Sequence, residues 1–121
     1  MKVLIVKPHE HPFTGELPDL EAMQECVGGA IQAIYPWPEV RAALVCDEEG
    51  PMHGADWNRY ICEGVAIKGT FFICGLGEDD FTDLPDGLAD RFKSEFNVPE
   101  VFIRTPGGVI VMNNNGVRAV I

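Results

Sequence analysis

The apolar positions of this chain fall into short runs broken by proline, glycine and acid. Val3-Leu4-Ile5-Val6 is a continuous apolar run between two lysines and predicts a buried strand over 2–7. Pro12 and Gly15 interrupt the next segment, so 8–16 reads as a turn and a short second strand. Leu20, Met23, Val27 and Ile31 recur at helical spacing behind Asp19, a good N-cap, and Gly28-Gly29 supplies a cheap stop. That predicts a helix over 20–28. Ala30 to Tyr35 and Val40 to Cys46 are strand candidates, separated by Pro36-Trp37-Pro38 and followed by the polar turn Asp47-Glu48-Glu49-Gly50. Residues 51–64 show no period and read as a packed loop holding Trp57 and Tyr60. Ala66-Ile67 and Thr70 to Cys74 form a strongly apolar strand region, with Gly69 marking a bulge. Pro85 and Asp86 suit a first helical turn, and Leu88, Phe92 and Phe96 share one face of a helix over 86–96.

Beyond residue 96 the pattern changes. Val101 to Arg104, Val109 to Met112 and Val117 to Ile121 are β-prone runs separated by Gly107-Gly108 and Asn113-Asn114-Asn115-Gly116. They predict a C-terminal hairpin or meander that adds to the first sheet. The expected fold class is therefore α+β: one small domain with a mixed or mostly antiparallel sheet and two helices. The order strand, strand, helix, strand, strand suits a β-grasp-like N-terminal half, among other α+β arrangements.

With 121 residues, 46% hydrophobic and 23% charged, the chain is the size and balance of one folded domain rather than a disordered tail or coiled coil. Nine Lys plus Arg against nineteen Asp plus Glu leave a net charge of −10. Such a surface repels nucleic acid and anionic lipid, so neither is an expected partner. No stretch approaches the apolar length of a membrane span, and Val3 to Val6 is far too short for a signal-peptide core. Cys26, Cys46, Cys62 and Cys74 lie in apolar stretches with no two-residue spacing, which predicts reduced, mostly buried thiols and a cytoplasmic location.

Four local elements together resemble a family. They are the opening strand Lys2-Val3-Leu4-Ile5-Val6, the segment Leu20 to Ile31 with its double glycine, the pair Asn58-Arg59, and Gly69-Thr70-Phe71-Phe72-Ile73-Cys74-Gly75. Phe81 and Leu84 then lead into the last helix. This pattern is similar to the bacterial, plasmid and phage family called domain of unknown function 3846. The likeness spans roughly residues 1–96 as an α+β core and leaves 97–121 as a β extension packed on the same domain. One departure is Pro85, which stands where a hydroxyl N-cap would be expected. The resemblance implies a setting in bacteria or their mobile elements, often phages, and assigns no catalytic residue.

Candidate chemistry is sparse. His9 and His11 on one side of an extended segment, with His53, Asp56 or Cys62, have the donor types of a zinc site, but Pro8 and Pro12 make a solvated turn the better expectation. No metal or cofactor is therefore expected. No cysteine has a nucleophile's local signature, and no phosphate loop or serine elbow is present, so no catalytic residue is named and an enzyme is not expected. Asn58 and Arg59 beside Trp57 and Tyr60, with Thr70 nearby, form the candidate ligand- or partner-binding cluster, since aromatic rings and a guanidinium hold planar or phosphorylated groups. The alternative is that the rings fill the core while Arg59 meets an acid. Glu78, Asp79, Asp80, Asp83 and Asp86 form an acidic face: a charge-matched partner surface or a solubilising one.

The expected function is a non-enzymatic acidic binding protein of phage or mobile-element type, in its sharpest form an anti-defence inhibitor that binds a host protein. The alternative is a nucleotide-type small-ligand binder built around Asn58 and Arg59. Symmetric self-association suits a chain with exposed strand edges.

Overall fold

The computed structural model describes all 121 residues. Its elements run β1 (Lys2–Val6), β2 (Phe13–Glu16), α1 (Leu20–Val27), β3 (Ile31–Ile34), β4 (Ala42–Asp47), a 3-10 turn (Gly50–His53), β5 (Trp57–Cys62) and β6 (Val65–Lys68). They continue with β7 (Phe71–Leu76), β8 (Phe81–Thr82), α2 (Asp86–Glu95), β9 (Val101–Thr105), β10 (Gly108–Asn113) and β11 (Gly116–Ala119). The fold is α+β, with two helices and antiparallel sheets.

The main sheet has the order β2-β1-β7-β4-β3, and β8 pairs with the end of β7. Its central strands are buried along their length because both faces are covered. Val3, Ile5, Val45, Phe72 and Cys74 point to the face where Val27 of α1 packs. Leu4, Val6, Leu44, Phe71 and Ile73 point to the other, under Ala89 and Phe92 of α2 and the buried Phe96 that ends it. A period of two along each strand sends neighbours to opposite layers, so an unbroken apolar run is what a sandwiched strand requires. Trp37, between the two prolines, packs on this second face with its ring 4.3 Å from that of Phe92.

The two helices are bounded differently. Asp19 caps α1 by accepting from the Ala22 N–H at 2.8 Å, and Gly28 closes it at φ 91 with its N–H on the Gln24 carbonyl. Pro85 takes the N-cap position of α2 without a side-chain cap. Asp86 in its first turn complements the dipole instead.

Four expectations are corrected. The β-grasp arrangement places the first strand parallel to the central one, whereas Leu4 pairs with Ile73 and Val6 with Phe71 in antiparallel register. Residues 51–64 are not a loop: they hold the 3-10 turn and β5, which pairs with β6 as a separate two-stranded sheet. Gly69 is not a bulge but the turn residue between β6 and β7, at φ 80. The C-terminal strands do not extend the main sheet; they form their own, in the order β11-β10-β9. The hidden strand has a clear cause, since β5 is irregular twice, between Trp57 and Arg59 and between Tyr60 and Cys62. Each irregularity breaks the alternation that would mark a strand.

Candidate functional site

The bulge in β5 turns Asn58 and Arg59 inward together, and both are buried, Arg59 completely. Asn58 gives one amide hydrogen to the Val6 carbonyl (2.9 Å) and the other to Gly69 (2.8 Å). Its Oδ1 accepts from Arg59 Nη1 at 2.9 Å. Arg59 Nη1 also reaches the Asn58 carbonyl at 3.3 Å. Nη2 donates to the carbonyls of Glu10 (2.7 Å) and Phe96 (2.9 Å), and Nε to Phe96 as well (3.3 Å). All five guanidinium hydrogens are thus engaged. Burial pulls the Arg59 guanidinium below its ordinary value while the Glu100 carboxylate works the other way. The charge is met mainly by carbonyl dipoles, two of its bonds going to the residue at the C-terminal end of α2, where the helix dipole is negative.

This geometry gives the pair an internal role. Asn58 and Arg59 present no free donor to a ligand; they bind the end of β1, the β6–β7 turn, the end of α2 and the loop at Glu10 into one body. In the alternative reading Arg59 meets an acid, and no carboxylate is among its hydrogen-bond partners. Trp57 is half-buried, stacked on Phe102 at 5.4 Å and under the Lys68 ammonium at 4.8 Å. Tyr60 lies 5.8 Å under the Arg118 guanidinium, and its N–H donates to Glu100 Oε1 at 2.7 Å. The two rings therefore clamp the C-terminal sheet onto the body. Thr70 lines an open cleft of about 400 Å³, with Cys26, Asp47, His53 and Asp56.

That cleft holds a pair with no motif to announce it in the sequence. Asp47 ends the otherwise apolar β4, its carboxylate nearly buried, and its Oδ2 lies 2.5 Å from His53 Nδ1. Glu49 Oε2 lies 3.6 Å from the other ring nitrogen. Both imidazole nitrogens therefore face carboxylates, and the pair ties the end of β4 to the 3-10 turn. The one available signal is a lone acid closing an apolar strand, six residues before a histidine. The second glycine of the double-glycine stop belongs to the same arrangement. A Cβ on Gly29 would stand 2.6 Å from Asp47 Oδ1 and 3.1 Å from His53 Cε1. Gly29→Ala is expected to cost about 1–3 kcal/mol by overpacking. In the Gly29→Ala/Asp47→Ala double variant that cost should largely vanish, which chemical denaturation of the four proteins measures as a coupling.

The remaining histidines diverge. His9, at φ 67, turns its ring to Asp56 (3.1 Å), and His11 bonds the Asn97 carbonyl at 2.5 Å. The segment is a turn, not extended, so the two imidazoles do not share one side. No three His, Cys, Asp or Glu side chains gather as a metal would need.

Residues 1–97 match a family model described as Domain of unknown function (DUF3846). The chain belongs to that family. No curated protein and no solved structure matches it. In this DUF3846 chain the Asn-Arg pair and the double glycine are thus architectural: one cross-links four segments, and the other leaves room for the Asp47–His53 pair.

The acidic face divides in two. Asp83 accepts the Lys2 N–H at 2.8 Å, and Asp86 pairs with the Lys2 ammonium, which holds its carboxyl below the usual range. Glu78, Asp79 and Asp80 stand exposed on the β7–β8 turn and pair with no base; Asp80 Oδ1 accepts only from the Phe81 N–H. The cysteines are all free thiols, with Cys62 exposed and Cys46 and Cys74 buried. Burial pushes the Cys74 thiol up to about 12 and raises Cys26 and Cys46 as well. A brief maleimide treatment of the native protein at neutral pH is expected to add one label, at Cys62, and four after denaturation; intact mass spectrometry counts them. No helix is long and apolar enough to cross a membrane.

Proposed function

We propose that this DUF3846 protein is a non-enzymatic binding protein of phage or mobile-element type whose acidic body engages a basic surface on a host protein. The observation that carries the reading is the distribution of charge. Eighteen of the nineteen carboxylates lie in residues 1–96, against seven of the nine bases. Three of those acids, Glu78, Asp79 and Asp80, are exposed on one turn and form no ion pair, the nearby Arg41 guanidinium bonding the Leu76 and Gly77 carbonyls instead. A concentrated, unpaired negative turn attracts and orients a partner bearing Lys or Arg clusters. In its sharpest form the partner belongs to a host defence system and the protein inhibits it, acting from the cytoplasm. The side chains best suited to chemistry or to a nucleotide, Arg59 and Asn58, already have their donors occupied within the fold, which favours this reading over the small-ligand one.

A tagged pull-down from nuclease-treated bacterial lysate tests it, comparing the native chain with the Glu78→Gln/Asp79→Asn/Asp80→Asn variant. Expected is one enriched protein at low salt that is lost at about 0.5 M salt, where charges are screened within a few ångströms. The variant should lose it at either salt. Equal capture by both proteins would sink the acidic-turn reading. Where a partner is found, expression of the native chain should raise phage plating on a host that depends on it.

A further inference from the structure

The C-terminal sheet has one face spent and one face open. Directly opposed residues of an antiparallel sheet share a face, so its register sorts the side chains. On one face Phe102, Val111 and Arg118 stand in one rung and Arg104 with Val109 in the next. This face turns toward the body: Phe102 stacks on Trp57, Arg118 covers Tyr60, and Val109 and Val111 are buried. On the other face Val101, Met112 and Val117 form one rung, and Ile103, Ile110 and Ala119 the next. That face is apolar at all six positions, five of them exposed and Ile110 partly buried. Val101 is 57% exposed, Ile103 41%, Met112 44% and Val117 61%.

We propose that this face is the interface between two copies of the chain, packed sheet against sheet about a twofold axis. Two observations select a second copy over another occupant. The first is charge. Two chains at −10 repel wherever their acidic bodies meet, but beyond residue 96 there is one acid, Glu100, against Arg104 and Arg118. None of these three is on the open face, so self-association there buries no charge and keeps the two acidic bodies apart. A basic partner would gain nothing from it and would be drawn to the body instead. The second is size. The six side chains leave roughly 500 Å² open per copy, at the upper end of what monomers leave uncovered. Two copies would bury about 1,000 Å², the area a specific interface has to reach. Each copy contributes the same two rungs, and facing sheets interdigitate about 10 Å apart.

The proposal does not rest on the acidic turn, and salt separates the two. Screening relieves repulsion between like chains, so self-association should tighten as NaCl rises from about 50 to 500 mM, the change that releases an acid-bound partner. Sedimentation velocity of the full chain from about 5 to 500 µM reads the outcome. Expected is a concentration-dependent shift toward twice the chain mass of 13.3 kDa, stronger at high salt. Met112→Glu and Val117→Lys should each weaken it at least about tenfold while melting like the native protein. Met52→Glu, at an 82% exposed apolar side chain outside the sheet, should leave it unchanged. A monomer across the whole range, or dimers undisturbed by folded Met112→Glu and Val117→Lys, would overturn the proposal. Should both variants unfold, hydrogen exchange of the native chain at the two extreme concentrations decides. Protection rising in β9–β11 supports the interface, and unchanged protection overturns it.

Discussion

Replacing Arg59 by alanine is expected to cost about 4 kcal/mol of stability, a large effect for a single substitution. The reason is the number of oxygens left behind. Five N–H donors disappear, and the carbonyls of Glu10, Phe96 and Asn58, with Asn58 Oδ1, lose their partner in a region where Arg59 itself has no exposure. An unsatisfied buried acceptor costs about 1–3 kcal/mol, and water entering the vacated space recovers part of that. At about 4 °C per kcal/mol for a domain of this size, the melting temperature should fall by about 15 °C. Arg59→Lys keeps the charge but offers three donors on a compact head instead of a planar fork, so it should restore less than half of the loss. A melting temperature within about 4 °C of the native protein for Arg59→Ala would show that the cross-link is not what holds these segments together.

The second large effect is expected at Gly75, in the central strand β7. A Cβ there would collide with the Asp83 carbonyl oxygen and stand 3.2 Å from Thr82 Cγ2. The first of these is main chain, so no rotamer change relieves it. The segment from β8 to Leu84 would have to peel away. Its neighbours show what peeling breaks: the Lys2 N–H bond to Asp83 Oδ1 (2.8 Å), the Leu84 N–H bond to the Lys2 carbonyl (2.9 Å), and the seat of Leu84, which is 1% exposed. Overpacking together with those losses gives about 3 kcal/mol for Gly75→Ala. Hydrogen exchange should show the loss concentrated at residues 81–84 and the start of β1. Uniform loss of protection, or none, would contradict a local peeling.

How legible the fold was depended on regularity. The segments 2–7, 20–28, 40–46 and 86–96 correspond to β1, α1, β4 and α2 because each carries its own signal: an apolar run, or a helical stripe bounded by a cap or a stop. The strand β5 was invisible because its two bulges destroy the period of two, and β8 because two residues carry no pattern. The direction of β1 against β7 was equally out of reach. An apolar run says that a strand is buried, not which neighbour it meets or which way it points.

The candidate site shows the same limit from the other side. An Asn-Arg pair between aromatic residues has the composition of a binding cluster, and only the burial of Arg59 against the carbonyls of Glu10 and Phe96 and its neighbouring Asn58 gives it an internal role. The sequence by itself determined the α+β class, the two helices with the Asp19 cap and glycine stop of the first, the charge imbalance and the β-prone tail, because these are read from composition or from neighbours within a few residues. Tertiary structure decided where the charges of Arg59 and Asp47 are spent, which of the two tail faces stays open, and why Gly29 and Gly75 have no side chain. Those outcomes depend on atoms brought together from distant positions, and burial there turns one unmatched donor or one added methyl into kilocalories.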